Sequence, residues 1–189
     1  MGKIIIEPYL LALQENSVVI AWEVNQNSNY SLKYKKIGAK TYKTAKLQQL
    51  CIDNGNSNIL YFAQLIKLEI NNMYQYNIYE GKTIIHKNTF STAKNSEKLK
   101  ILTVGDTHSF ELHEDIQKSI EKHQPNFILH SGDISFATGD QREQYEKNWF
   151  KLISQSLQQF PVYYTPGNHD NGKYFDYYFI KPIQNYVNH

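Results

Sequence analysis

The first half of the chain alternates hydrophobic and polar residues over short stretches that end in turn-forming clusters. Four segments are alternating or rich in β-branched and aromatic residues: 17–24, 30–35, 60–65 and 74–79. Clusters with Asn and Gly lie between or after them, as at 53–56 and 80–82. This pattern predicts strands, and the short turns without a helical period favour an antiparallel sandwich.

One local feature sharpens the prediction of a sandwich. Tyr74 follows a polar turn that itself follows an apolar residue, in the run 68–74. This spacing suits a tyrosine corner, in which the phenol hydrogen-bonds back to the chain. With Trp22 as a core residue of an early strand, the segment resembles a fibronectin type III-like domain. In the simpler alternative, Trp22 and Tyr74 are ordinary core aromatics of a small sandwich.

After residue 98 the hydrophobic pattern changes to strands that alternate with helices. Three apolar runs predict strands, at residues 99–104, 126–130 and 161–165. Apolar residues at helical spacing predict the first helix, through Leu112, Ile116 and Ile120. A second helical stretch covers about residues 141–158. Strand, helix, strand, helix, strand is typical of βαβ crossovers and a mostly parallel sheet.

The two patterns predict two domains. Residues 1–94 are expected to form an N-terminal antiparallel β-sandwich of the fibronectin III-like kind. Residues 95–189 are expected to form an incomplete α/β domain, and the polar stretch around 93–98 is the predicted linker.

Composition and charge narrow the class of protein. With 41% hydrophobic and 20% charged residues among 189, a globular chain is the default. The net charge of +2 gives no reason to expect a nucleic acid as partner. No apolar run reaches the roughly 20 residues that span a bilayer, and the N-terminal run is too short for a secretory signal. We therefore expect a cytoplasmic protein without a membrane partner. The single cysteine, Cys51, excludes an internal disulfide and is predicted to be a small buried residue.

Each predicted strand of the second half ends in a polar loop that contains glycine. The loops are residues 105–108, 131–133 and 166–170. Because ligands of open α/β sheets bind at the carboxyl ends of the strands, we expect the polar side chains of these loops to converge. They are Asp106, His108, Asp133, Asn168 and His169. Carboxylate, imidazole and amide donors together suit a divalent ion such as Mn, Fe, Zn, Co or Mg.

Together the three loops resemble the motifs of the calcineurin-like metallophosphoesterase superfamily. The matching blocks are residues 105–108, 132–133 and 167–170. A fibronectin-like domain in front of such a segment is similar to the arrangement of purple acid phosphatases. The sequence of residues 130–137 also resembles that of purple acid phosphatases. The resemblance implies a phosphoric ester hydrolase, acid phosphatase-like, with a dinuclear site of Fe, Mn or Zn. A phosphate monoester is the first expectation for the substrate, and a diester is the second.

The resemblance also implies a role for each matching residue. The expected metal ligands are Asp106 and His108 for the first ion, Asp133 as the bridge and Asn168 for the second ion. His169 would lie beside the scissile phosphate, and Asp170 would orient its imidazole, which makes these two the expected catalytic residues. Two ions about 3.5–4 Å apart would clamp the phosphate and lower the pKa of a bound water. His130 is expected to be a structural residue at a strand end.

One position departs from the purple acid phosphatase pattern. Those enzymes place a metal-binding Tyr three residues after the bridging Asp, where this chain has Phe136. Those enzymes have no His ligand at the position that matches His108. Compared with them, this chain loses the ligand at position 136 and gains one at position 108. We therefore predict a site of the general metallophosphoesterase type, without a purple colour.

The resemblance implies three further histidines that the sequence does not show. In the family they come from two later motifs, the last of the form Gly-His-x-His, and nothing after Asp170 matches them. Both ions would then lack ligands, so we expect a C-terminally truncated chain with weak or no activity. A separate chain could carry the missing half. The alternative is an inactive remnant whose β-sandwich acts as a binding module.

Overall fold

The computed structural model describes residues 2–51, 58–96, 98–108, 113–136 and 138–180. The predicted turn at 53–56 and the predicted helix residue Leu112 lie outside this part. The strands are β1 Ile4–Leu11, β2 Val18–Val24, β3 Tyr30–Lys36, β4 Lys43–Thr44, β5 Gln48–Cys51, β6 Ile59–Leu65, β7 Met73–Glu80, β8 Thr83–Ser91, β9 Ile101–Val104, β10 Phe127–His130 and β11 Val162–Tyr164. The helices are α1 His113–His123, α2 Arg142–Tyr145, α3 Ser154–Leu157 and α4 Lys173–Tyr178. A π-helical turn, Glu146–Phe150, continues α2, and a 3₁₀ turn covers Asn168–Asp170.

Two sheets pack on each other in the N-terminal half. The smaller one has four antiparallel strands in the order β4-β3-β7-β8. Its buried residues, among them Leu32 and Tyr76, share a core with Trp22 and Ile20 of β2. The hydroxyl of Tyr74 accepts a hydrogen bond from the backbone N–H of Glu69 at 3.0 Å. The contact predicted for a tyrosine corner is therefore present.

The larger sheet runs through both predicted domains. Its order is β5-β6-β2-β1-β11-β10-β9, so antiparallel strands of the N-terminal half continue into the parallel strands β9, β10 and β11. At the junction β1 pairs with β11 in parallel, and Leu11 lies opposite Val162. The two halves therefore share one sheet, and the domain boundary between residues 94 and 95 stays a prediction.

Helices cover the other face of the larger sheet. Ile120 of α1 and Trp149 of the π-helical turn are fully buried in a core that also contains Tyr9 and Ile128 of the sheet. The second predicted helix is not continuous, because a turn at 151–153 separates the π-helical turn from α3. At this break two successive backbone N–H groups bond to the carbonyl of Trp149, at 3.2 and 3.3 Å. The prediction of one helix over 141–158 was therefore wrong.

A buried ion pair fastens the helices to the N-terminal half. Arg142 of α2 donates from Nε and Nη2 to Oε1 of Glu23 in β2, at 3.0 and 2.7 Å. Tyr178 of α4 donates to Oε2 of Glu23 at 2.8 Å, and Asn58 also donates to this carboxylate. Burial raises the pKa of Glu23, while Arg142, Tyr178 and Asn58 oppose the rise. One carboxylate thus joins β2 to two helices.

The structure also bears on two predictions about the burial of Cys51 and the length of the helices. Cys51 is exposed, so the prediction of a buried cysteine was wrong. It ends β5, which is the edge strand of the larger sheet and has its strand neighbour, β6, on one side. Among the described helices, none is both long and apolar enough to cross a membrane.

Candidate active site

Three loops meet at the carboxyl ends of β9, β10 and β11. Because β10 pairs in parallel with both other strands, the loops that follow them leave the same edge of the sheet. Two backbone hydrogen bonds hold the first loop to the second: Asp106 N–H to Gly132 O at 3.0 Å, and His108 N–H to Asp133 O at 3.2 Å. The third loop is held to the second by His169 N–H, which donates to Oδ1 of Asp133 at 2.9 Å.

Asp106 and His108 form a pair in the first loop. Oδ1 of Asp106 lies 3.7 Å from Nε2 of His108. The side chain of Asp106 is 80% exposed, whereas that of His108 is 24% exposed. Nδ1 of His108 is buried and has no hydrogen-bond partner in the part of the chain that the structure describes. The proximity of the Nε2 atom of His108 to an exposed carboxylate suits a site that receives a cation.

The other predicted site residues lie on the second and third loops. Asp133 and His169 are half-buried, and Asn168 is exposed at the start of the 3₁₀ turn. The rings of His108 and His169 are 5.5 Å apart between centroids. Phe136 stands in the position that would carry a tyrosine ligand, and its exposed ring contacts the His108 ring edge-on at 5.4 Å.

The types of donor group on the three loops fit a metal ion, but the distances between the described side chains do not bring enough of them together to hold one. Carboxylate, imidazole and amide donors are all present on the three loops and suit borderline or hard divalent ions. Among the described residues, however, no group of three or more His, Cys, Asp or Glu side chains could hold a metal ion. The structure brings Asp106 and His108 together as a pair and leaves Asp133, Asn168 and His169 on adjacent loops.

Two of the predicted ligands, Asp106 and Asp133, are among the described non-glycine residues with a strained backbone. Asp106 and Asp133 have φ angles of 51° and 58°, in the left-handed region. Such residues cost of order 1–3 kcal/mol and cluster at functional sites. Gly132 has φ 105°, and a Cβ built on it would lie 2.2 Å from the backbone N of Gly167. Only glycine therefore allows the second and third loops to approach this closely.

Asp170, the last residue of the third loop, is buried against the second loop, with 1% of its surface exposed. Its carboxylate accepts hydrogen bonds from the backbone N–H groups of Asp133, Ile134, Ser135 and Gly167 at 2.7–3.1 Å, and from the Tyr145 hydroxyl at 3.2 Å. The prediction that Asp170 orients the His169 imidazole stays a prediction.

His130 and Thr107 form a second buried contact beneath the loops. Oγ1 of Thr107 is 2.8 Å from Nε2 of His130, and the N–H of Gly132 donates to Nδ1 of His130 at 3.0 Å. Burial lowers the pKa of His130 to about 3, against an opposing effect of Asp133, so the imidazole is neutral at pH 7. The sequence reasoning did not single out Thr107. Its position between Asp106 and His108, two predicted metal ligands, is the sequence feature that could have identified it.

The C-terminal half matches a known family. Residues 99–189 match the family model of calcineurin-like phosphoesterases. The matched region includes β9, β10, β11 and all three loops. The chain as a whole matches no curated protein. The match supports the superfamily inferred from the loop motifs, and this family acts on phosphate esters.

Proposed function

We propose that the chain is a metal-dependent phosphoric ester hydrolase, acid phosphatase-like, with a dinuclear metal site. The meeting of three polar loops at the ends of adjacent parallel strands, within the region that matches calcineurin-like phosphoesterases, carries this proposal. The carboxyl ends of parallel strands are where open α/β sheets bind their ligands. A phosphate monoester is the first candidate substrate, and a diester is the second.

The proposed ligands come from all three loops. Asp106 and His108 would hold the first ion, Asp133 would bridge, and Asn168 would hold the second through its amide oxygen. Fe, Mn or Zn suits this mixture of oxygen and nitrogen donors. When bound, the ions would supply positive charge beside the phosphate oxygens and lower the pKa of water.

His169 is the proposed acid of the reaction. Its imidazole would donate a proton to the leaving oxygen or stabilise the charge that develops there. Its backbone N–H binds Asp133 at 2.9 Å, which keeps the third loop next to the proposed bridging ligand. The exposure of Asp106 and Asn168 leaves the edge of the sheet open to a phosphate ester.

A second candidate is an inactive remnant in which the β-sandwich serves as a binding module. One observation favours it: among the described residues, no three His, Cys, Asp or Glu side chains form a group that could hold a metal ion. Metal analysis separates the two candidates. About two ions per chain would favour a working site, and none would favour the remnant.

Hydrolysis of an aryl phosphate in the presence of Mn²⁺ tests the proposal. We expect at most weak Mn²⁺-dependent turnover by the wild type, because the expected ligand sets are incomplete, and loss of most of that turnover in Asp133→Asn. Asp115→Asn is the matched control, because Asp115 lies exposed on α1, 4.0 Å from Lys118. Turnover that does not need Mn²⁺, or that is equal in Asp133→Asn and the wild type, would contradict the proposal.

A further inference from the structure

We propose that His130 and Asp170 are positioning residues that together set the spacing of the three loops. His130 links the first loop to the second, and Asp170 links the second to the third. The consequence for metal binding rests on the proposed function, whereas the contacts themselves are testable without it.

The link made by His130 defines which of its nitrogens carries the proton. Nδ1 accepts the hydrogen bond from the Gly132 N–H, so it bears a lone pair. A neutral imidazole has a single N–H, which must then be at Nε2 and donate to Oγ1 of Thr107. Trp149 and Tyr164 hold the ring, with centroids 4.6 and 5.8 Å away. A buried residue of the first loop is thus tied to the glycine of the second.

The link made by Asp170 concentrates several donors on one buried carboxylate. Three of the N–H groups come from consecutive residues, 133–135, which include the end of the second loop and the two residues after it, and the fourth comes from Gly167 of the third loop. Hydrogen bonds to an ionised carboxylate are roughly twice as strong as neutral ones. The side chain therefore fixes the separation of two loops rather than the conformation of one.

Both links converge on the proposed bridging ligand. His130 holds the N–H of Gly132, and Asp170 holds the next N–H along the chain, that of Asp133. The backbone of Asp133 has a left-handed φ of 58°, which requires such external support. Replacing a residue that orients a metal ligand through a hydrogen bond typically lowers metal affinity or activity by about 10- to 100-fold.

The ring tautomer of His130 in the wild-type protein provides the first test. We expect ¹⁵N NMR at pH 7 to show a neutral imidazole with its proton on Nε2. A proton on Nδ1 would overturn the proposal, because Nδ1 could then no longer accept from Gly132. This measurement needs neither a metal ion nor a substrate.

Mn²⁺ affinity, measured by calorimetry, provides the second test. We expect His130→Asn and Asp170→Asn to bind Mn²⁺ about 10- to 100-fold more weakly than the wild type. Leu32→Ala is the control for stability alone, since Leu32 is fully buried in the β-sandwich core, on the smaller sheet. It should lose stability and keep its Mn²⁺ affinity.

The outcomes separate this inference from the proposed function. Wild-type affinity in His130→Asn or Asp170→Asn would refute the positioning roles, and so would an equal loss in Leu32→Ala. If the wild type binds no Mn²⁺, the proposed function fails, and the tautomer of His130 alone decides whether the link to Gly132 exists.

Discussion

Replacing Arg142 by methionine is expected to lower the free energy of unfolding by about 3–5 kcal/mol. The substitution removes the guanidinium that donates two hydrogen bonds to Glu23. Glu23 is fully buried, and Arg142 is only 6% exposed. The variant would therefore leave a carboxylate inside the protein with hydrogen bonds from Tyr178 and Asn58 and no cation beside it.

An exposed ion pair supplies the matched control. Lys36 and Glu69 are in contact at 2.6 Å, with side chains 38% and 64% exposed. Exposed pairs contribute about 0–1 kcal/mol because water screens both charges. Lys36→Met should therefore lose at most about 1 kcal/mol. The difference between the two Lys/Arg→Met variants isolates the cost of an unpaired buried charge.

A double variant tests the cause of the loss. If Glu23 is replaced by leucine in the Arg142→Met background, no buried charge remains without a partner. We expect the double variant to be more stable than Arg142→Met alone. Urea unfolding at pH 7, followed by the fluorescence of the buried Trp22 and Trp149, measures all four proteins. A loss in Arg142→Met no larger than in Lys36→Met, or a double variant no more stable than Arg142→Met, would refute the reasoning.

Two further predictions concern buried polar contacts. Lowering the pH from 7 to 5 should cost about 2 kcal/mol through His130, because its pKa falls from about 6.5 unfolded to about 3 folded and the unfolded chain takes up the proton first. This stability is present above pH 6.5 and lost toward pH 3, so His130→Asn should lack it in urea titrations. Tyr74→Phe should cost about 1 kcal/mol, since it removes the hydrogen bond with Glu69 and keeps the buried ring. A variant as stable as the wild type would show that this bond contributes nothing.

The local pattern of the sequence was sufficient for four of the eight described strands of the N-terminal half, namely β2, β3, β6 and β7. In β3 the buried residues Tyr30, Leu32 and Tyr34 alternate with partly exposed ones, which is the signal that the prediction used. β1 was not predicted, because Glu7 and Pro8 interrupt its apolar run.

Contacts between distant parts of the chain were beyond the reach of local patterns. Nothing near Leu11 or Val162 indicates that β1 and β11 pair and merge the two halves into one sheet. Glu23 lies in a strand that is buried throughout, and the cation that pairs with it is 119 residues away. Only the assembled fold shows why a carboxylate is tolerated there.

In the candidate site, too, the local features could be predicted from the sequence and the contacts between loops could not. The three loops could be predicted because strand, glycine and polar donor follow one another locally in each. The contacts of Thr107, His130 and Asp170 could not, because each depends on how one loop lies against another. For Phe136, the sequence alone indicated that no tyrosine ligand is present at this position. Its contact with the His108 ring could be seen only in the structure.

A crystal structure of the chain grown with Mn²⁺, with the ion located by its anomalous scattering, is the most direct test of the proposed site. We expect an ion bonded to the side chains of Asp106, His108 and Asp133. Manganese bound elsewhere, or these three side chains turned into separate surroundings while Mn²⁺ is present, would contradict a metal-dependent site at the ends of β9, β10 and β11.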